Sequence, residues 1–334
     1  MKAAIFHEFG PPEVLKYEDV PDPVPGPGEI VVAVHAVTVN RSLDCMVREG
    51  HPSQARRNVK PPHVSGVDPA GVVHAVGEGV SSPAVGDRVA CLSHCPGGGM
   101  LGVACWGGYA DYVKICADQA VRIPDNLDFG EAAAVLRHGP MAHNLLFDLA
   151  DLKSGESVLV MGAAGGLGST GIQICKNVGA RVICAAGSDE RVQVGLDFGA
   201  DRGVNYNTHD LTEEVMKFTD GEGVNVVFEN ISNPVTWPRA LASMAMYGRM
   251  VTAGAHGGGK VELDCGILYH RNLKIMGGTG NSERNVEDTM KAAASGGLRA
   301  SIQVVLPLSQ AAEGHRIMES GVPHGKIVLD PTLG

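Results

Sequence analysis

The run that speaks most directly of chemistry in this 334-residue chain is Val158-Leu-Val-Met-Gly162-Ala-Ala-Gly165-Gly-Leu-Gly168. A short apolar run of strand type meets a glycine-rich turn, and the residues behind it carry the apolar spacing of a helix. A strand–turn–helix of this kind presents the free N–H groups of a helix N-terminus to a pyrophosphate. Gly165 lets the backbone approach the phosphates, and Gly168 lets the helix pack on the strand. Ala163 stands where the fingerprint G-x-G-x-x-G begins, so the match is A-x-G-x-x-G across Ala163, Ala164, Gly165, Gly166, Leu167 and Gly168. The motif is weak by itself; its flanking strand and helix, and a second strand at the right distance, give it meaning.

That second strand bears on which dinucleotide binds. It ends Ala185-Ala186-Gly187-Ser188. Folds that take NAD keep a carboxylate at this point for the ribose 2′-hydroxyl. None stands at the strand end here. Arg191 follows instead, a guanidinium able to neutralise a 2′-phosphate, with the Ser188 hydroxyl as a donor beside it. NADPH is therefore the expected cofactor. In the alternative, Asp189 takes the ribose, Arg191 is a solvated helix residue, and the cofactor is NAD.

A third group has the polarity to act on a substrate. Asn40 could hydrogen-bond a substrate oxygen, and Asp44 could orient it or relay a proton. Arg137 could bind a carboxylate or stabilise an enolate. Turn capping accounts for Asn40 and Asp44 equally well, and an ion pair with Glu131 would account for Arg137. His138 and His143 lie five apart and share no helix face, so they read as incidental, while His63 and His74 read as packing or surface residues.

These residues need a scaffold, and the sequence shows two textures. Up to about Pro124 there are short Val-rich alternating runs separated by Pro and Gly, the pattern of an antiparallel, barrel-like β domain. From about Asp125 strands and helices alternate. Strands are expected at Ser157–Met161, Arg181–Ala186, Val224–Glu229, Gly248–Ala253 and Leu273–Gly277. Helices are expected at Gly168–Val178, Glu190–Phe198 and Val235–Met246. Alternation of this kind builds a parallel sheet with right-handed crossovers. After a helix at Val286–Ala294, β-like segments at Ile302–Leu306 and Lys326–Leu329 are expected to rejoin the first domain. The fold class is α/β, with one domain from residues 1–124 and 282–334 and another from 125–281.

Composition excludes several function classes. Hydrophobic residues make up 44% and charged residues 19%, enough apolar surface for two cores. A net charge of −10 and an aromatic content of 4% argue against nucleic acid as a partner. The N-terminus lacks a signal-peptide h-region and no apolar run is long enough to cross a bilayer, so the expectation is a soluble cytoplasmic protein without a membrane partner. The eight Cys are scattered and read as small buried hydrophobes or free thiols.

Three further motifs join the Ala163–Gly168 turn in order along the chain: Gly66-Val-Asp-Pro-Ala-Gly71-Val-Val with Val76-Gly-Glu-Gly-Val80 and Val85-Gly-Asp-Arg-Val89; Gly107-Gly-Tyr-Ala-Asp-Tyr-Val113; and Gly325-Lys-Ile-Val-Leu329. With them the whole chain resembles the medium-chain dehydrogenase/reductase superfamily, in its zinc-independent quinone oxidoreductase-like branch. The resemblance implies a GroES-like β-barrel catalytic domain built from both chain ends, a Rossmann doubly wound parallel sheet inserted between them, and a cleft separating the two. It implies a homodimer through the strand at Leu273–Gly277. It places Tyr206, in Val204-Asn-Tyr206, with Gly187, Ser188 and Arg191 at the 2′-phosphate. It sets Asn230, Ala253, Gly254, Gly278, Thr279 and Lys326 around the rest of the cofactor.

Zinc-dependent members of the superfamily hold a catalytic metal on three residues that match Asn40, Val67 and Arg137 here. Asn, Val and Arg do not make a zinc site, so no catalytic metal is expected. Cys91, Cys95 and Cys105, spaced C-x3-C-x9-C with His94 nearby, do not follow a structural-zinc pattern either. Hydride transfer without a Lewis acid needs an acceptor that is already electrophilic, a small molecule such as a quinone or a C=C bond conjugated to a carbonyl. An alcohol dehydrogenase-like oxidoreductase and a non-enzymatic NADPH-binding protein stand as alternatives.

Overall fold

The structure, a computed structural model, describes residues 1–51, 59–95, 97–321 and 325–333. The chain forms two compact units, one of Met1–Arg137 with Ala300–Gly334 and one of His138–Arg299. The first segment holds β1 (Lys2–Phe6), β2 (Leu15–Asp19), β3 (Glu29–Thr38), α1 (Met46–Glu49), β4 (His63–Val64), β5 (Pro69–Val76), β6 (Arg88–Cys91), β7 (Tyr112–Cys116), β8 (Ala120–Arg122) and the start of α2 (Phe129–His143). β3 is central because it pairs antiparallel with both β5 and β7. On β5, Gly71 is required: a Cβ there would fall 1.8 Å from the Ala33 carbonyl oxygen.

The middle segment contains β9 (Ser157–Met161), α3 (Gly166–Asn177), β10 (Arg181–Ala186), α4 (Asp189–Asp197), β11 (Arg202–Asn205), α5 (Leu211–Phe218), β12 (Val224–Glu229), α6 (Thr236–Ala242), β13 (Met244–Thr252), α7 (Cys265–His270), β14 (Lys274–Gly277) and α8 (Glu283–Ala294). Its six strands are all parallel, in the order β11-β10-β9-β12-β13-β14. Every residue of β9 is buried. Strands covered on both faces read as continuous apolar runs, which is why β9, β10 and β12 were legible in the sequence. The chain builds outward from β9 to β11, then returns to start again at β12. This is the doubly wound arrangement, with its topological switch between β9 and β12.

The last segment adds β15 (Ile302–Pro307), α9 (Ala311–Glu319) and β16 (Lys326–Asp330). β16 pairs antiparallel with β3, so both chain ends share the sheet β15-β16-β3-β5-β6-β8, with β7 also on β3. This is the GroES-like β domain. The units divide at 137/138 and 299/300, whereas the sequence reading set the boundaries at 124/125 and 281/282. The reason is packing. Phe129 stacks on His35 at 4.5 Å and carries the Arg88 guanidinium at 4.6 Å, holding the start of α2 to the first unit. α8 packs on the end of α2, where Gly139 makes room for Thr289, and Asn285 Nδ2 donates to Asp148.

Element ends differ in places. α3 begins at Gly166, two residues before the expected start. α6 stops at Ala242, because β13 begins at Met244 rather than Gly248. α2 ends at His143 and continues as a π-helical turn, Asn144–Leu149. From residue 138 onward, β11, α5, α7 and α9 have no counterpart among the expected elements.

Candidate functional site

In a parallel sheet all carboxyl ends lie along one edge, and the expected cofactor residues of the second unit fall there. Residues 162–168 follow β9, Gly187 and Ser188 follow β10, and Tyr206 follows β11. Asn230 follows β12, Ala253 and Gly254 follow β13, and Gly278 and Thr279 follow β14. That edge, at a switch point, is where open α/β sheets bind ligands.

The β9 turn has the geometry its glycines suggested. Gly162 sits at φ +74° and its N–H, like that of Ala163, donates to the Ala185 carbonyl. Gly165 is the N-cap of α3 and offers no side-chain cap. Among the described residues the first-turn N–H groups of Gly166, Leu167 and Gly168 have no protein acceptor, so the helix N-terminus presents free donors. Gly168 is held close to the turn: a Cβ there would lie 2.1 Å from the Gly162 carbonyl oxygen. We therefore expect Gly168→Ala to push α3 off β9, destabilising the protein by about 1–3 kcal/mol. Denaturant unfolding and a cofactor fluorescence titration will read this as lost stability and weakened dinucleotide binding together.

At the end of β10, Ser188 is the N-cap of α4 and its Oγ accepts the Arg191 N–H at 3.4 Å, which leaves the hydroxyl proton free to be donated outward. The Tyr206 hydroxyl packs over Gly187, 3.0 Å from where a Cβ would lie. Burial pushes the Tyr206 phenol up, and the nearby Arg191 charge partly offsets it. Gly187, Ser188, Arg191 and Tyr206 thus share one corner. Asp189, the alternative ribose ligand, turns its Oδ1 to the Asn205 amide at 2.8 Å.

Further along the edge, Asn230 is 8% exposed and donates from Nδ2 to the Met161 carbonyl at 3.0 Å. Its Oδ1 is enclosed without a partner among the described residues, an acceptor available to a bound group. Gly254 approaches so closely that a Cβ would lie 2.0 Å from the Asn230 carbonyl oxygen. The free donors at α3, the unpartnered Asn230 Oδ1 and the glycine-lined edge fit a dinucleotide. The sequence reading missed Glu229, which is fully buried. Its carboxylate accepts the N–H groups of Ile231 and Ser232 and fixes the loop bearing Asn230. An acid closing an apolar strand was the signal that could have found it.

Lys326, expected among the cofactor residues, lies in the first unit, in β16. There it completes a network with two of the expected catalytic residues. Lys326 Nζ donates to Asn40 Oδ1 at 2.8 Å. Asn40 Nδ2 donates to Asp44 Oδ2 at 3.0 Å and to Asp68 Oδ2 at 3.1 Å. An ammonium donates and does not accept, so Lys326 must face the amide oxygen, which turns Nδ2 toward the two acids. Asp68 is anchored by the Thr38 N–H and hydroxyl, and Asp44 by the N–H groups of Asn40 and Gly66. Asp44 is fully buried, so contact with a substrate is closed to it; with Asn40 it is hydrogen-bonded into the network that ends on Lys326 Nζ. Arg137 is half-buried. The proposed ion pair with Glu131 is not formed: Glu131 accepts the Ala300 N–H, and Arg137 has no ion pair among the described residues.

Burial pushes the Lys326 ammonium down to about 8; the acids Asp68 and Asp44 oppose this, and Arg137 adds to it. Burial, with the Asp68 charge adding to it, pushes the Asp44 carboxyl up to about 7. A proton held by the native state at Asp44 is released on unfolding, where the ordinary value is 3.8. That contribution to stability is complete below about pH 4 and is lost as pH rises through about 7. Replacing Asp44 by Asn is expected to weaken the fold but remove this dependence. Between pH 5 and 7 the stability difference between wild type and variant should narrow by up to about 1.4 kcal/mol per pH unit in denaturant melts.

The positions matching the superfamily's zinc ligands do not form a donor set. Val67 is buried and apolar, and Arg137 has no lone pair to give. The cysteine group needs a correction: Cys95 and Cys105 are not free thiols but a disulfide, Cα to Cα 6.2 Å, and Cys91 is a buried free thiol.

A doubly wound dinucleotide-binding sheet inserted into a GroES-like β domain defines a nicotinamide-dependent oxidoreductase of the dehydrogenase class. Comparison with known proteins agrees. Residues 26–125 match the family described as Alcohol dehydrogenase GroES-like domain, and residues 166–295 the one described as Zinc-binding dehydrogenase. The chain is 33% identical to the quinone oxidoreductase of Sus scrofa, over 98% of this chain and 97% of that one. Among solved structures, one described as an NAD-dependent alcohol dehydrogenase is 34% identical, with TM-score 0.89 over 99% of each chain. Escherichia coli quinone oxidoreductase in complex with NADPH is 29% identical, with TM-score 0.83 over 99% of this chain and 100% of that one. This chain belongs to the medium-chain dehydrogenase/reductase superfamily, in its quinone oxidoreductase-like branch. Among the described residues no helix is long and apolar enough to cross a membrane.

Proposed function

We propose that this protein is an NADPH-dependent reductase that passes hydride to a quinone or to a C=C bond conjugated with a carbonyl, with no metal at the reacting centre. The observation that carries the reading is the corner at the end of β10, where Ser188, Arg191 and Tyr206 gather and no carboxylate closes the strand. The relatives named quinone oxidoreductase and the NADPH complex support it.

Arg191 and the Ser188 hydroxyl bind the 2′-phosphate, and Tyr206 covers the adenosine end. The α3 N-terminus receives the pyrophosphate. Asn230, Ala253, Gly254, Gly278 and Thr279 hold the nicotinamide half. NADPH, when bound, supplies the hydride. Lys326 holds the matching proton at Nζ and delivers it to the oxygen that becomes a hydroquinone or enol. Asn40, Asp44 and Asp68 keep that ammonium aimed. Arg137 contributes positive charge beside it, favouring an acceptor whose oxygen gains negative charge. The reading also includes a homodimer through the open edge of β14 and location in the cytoplasm.

Competition binding tests the carrying observation. Adenosine 2′,5′-bisphosphate should displace NADPH at least about tenfold more effectively than 5′-AMP, as charge-assisted phosphate contacts require. Equal displacement would remove the case for NADPH.

A further inference from the structure

We infer that Cys45, His315 and Glu319 form a binding site for a zinc-type divalent cation, away from the superfamily's zinc positions. His315 and Glu319 are four residues apart on α9 and so share one face. Cys45 closes the π-helical turn Arg41–Cys45. One ligand atom from each lies within 4.8 Å of the other two. Cys45 and His315 are both fully buried.

The second observation is an unpaired atom. His315 Nε2 lies 3.2 Å from the Tyr109 hydroxyl, while Nδ1 is enclosed with no partner among the described residues. Buried polar atoms are normally satisfied, so this one needs an explanation. With the proton on Nε2, donated to Tyr109, the Nδ1 lone pair is free for a cation. Metal-binding histidines characteristically donate their other ring N–H in this way. Glu319 is steadied by Arg48 through Oε1, which leaves Oε2. Among the described residues Arg48 Nε and Nη1 are enclosed without acceptors.

A thiolate, an imidazole and a carboxylate are a zinc donor set, and metal–ligand bonds of about 2.0–2.3 Å ask the ligand atoms to draw together by roughly 1 Å. Glu319 is 20% exposed, which gives an ion a way in. On binding, the Cys45 thiol releases its proton to solvent, and no redox change occurs.

Cobalt(II) is the probe. Full-length protein stripped with a chelator, given cobalt(II) and gel-filtered should keep roughly one cobalt per chain and show a thiolate-to-cobalt charge-transfer band. Cys45→Ser should lose the band, and His315→Gln the bound cobalt. Tyr109→Phe, which preserves the core shape, should weaken affinity about tenfold. Failure of the stripped wild type to retain cobalt, or a retained cobalt whose spectrum is unchanged in Cys45→Ser, would overturn the site. NADPH turnover of the stripped sample is read separately, so the proposed reaction stands or falls by itself.

Discussion

Replacing Arg191 by Ala lowers kcat/KM for NADPH by about 10- to 100-fold and leaves NADH almost untouched. The size follows from the loss of charge-assisted contacts to a phosphate, about 1.5–3 kcal/mol. The selectivity follows from place. Arg191 lies in the first turn of α4, beside Ser188 and Tyr206, at the corner proposed to take the 2′-phosphate, the group that distinguishes the two cofactors. Steady-state kinetics with both cofactors on one preparation check this. Equal loss with NADPH and NADH would mean that the substitution damaged the α4 N-terminus instead, and that Arg191 reads no phosphate.

Replacing Lys326 by Met lowers kcat about 100-fold, the usual weight of a positioned proton donor, with little change in the KM for NADPH. If the ammonium is the donor, as proposed, kcat in the wild type should fall as pH rises through about 8, the range to which burial has pulled it. The variant should lose that limb. Lys326→Arg separates charge from proton, since a guanidinium keeps the charge but does not release its proton. An Arg variant with full kcat would make Lys326 an electrostatic residue only. Asn40→Ala should shift the alkaline limb, because Asn40 Oδ1 accepts from Lys326 and its amide links that lysine to Asp44 and Asp68.

Legibility in the sequence followed burial and local chemistry. β9, β10 and β12 were read to the residue because strands covered on both faces are unbroken apolar runs between turn residues. The glycines of the 162–168 turn announced a close approach that the 2.1 Å Gly168 clearance bears out. β11, only four residues long with an exposed Arg202 at its start, carries too little pattern to be seen. α5 has an apolar face, with Leu211 and Val215 buried, but it follows directly on a polar loop that masks its start. The networks were harder. Lys326 and Asn40 are 286 residues apart and meet only because β16 pairs with β3. His315 and Cys45 are similarly distant, and nothing local marks them as neighbours. The disulfide of Cys95 with Cys105 is not legible because a separation of ten residues does not by itself bring two cysteines together; the loop between them does.

The most direct test of the account is turnover itself. Protein dialysed against a chelator is followed by NADPH absorbance with a panel of quinones and α,β-unsaturated carbonyls, with NADH in parallel. Fast NADPH oxidation that survives chelation, with NADH much slower, is the predicted result. No turnover of any acceptor, restored when zinc is added with an alcohol and NADP⁺, would contradict it and return the protein to the metal-dependent dehydrogenases.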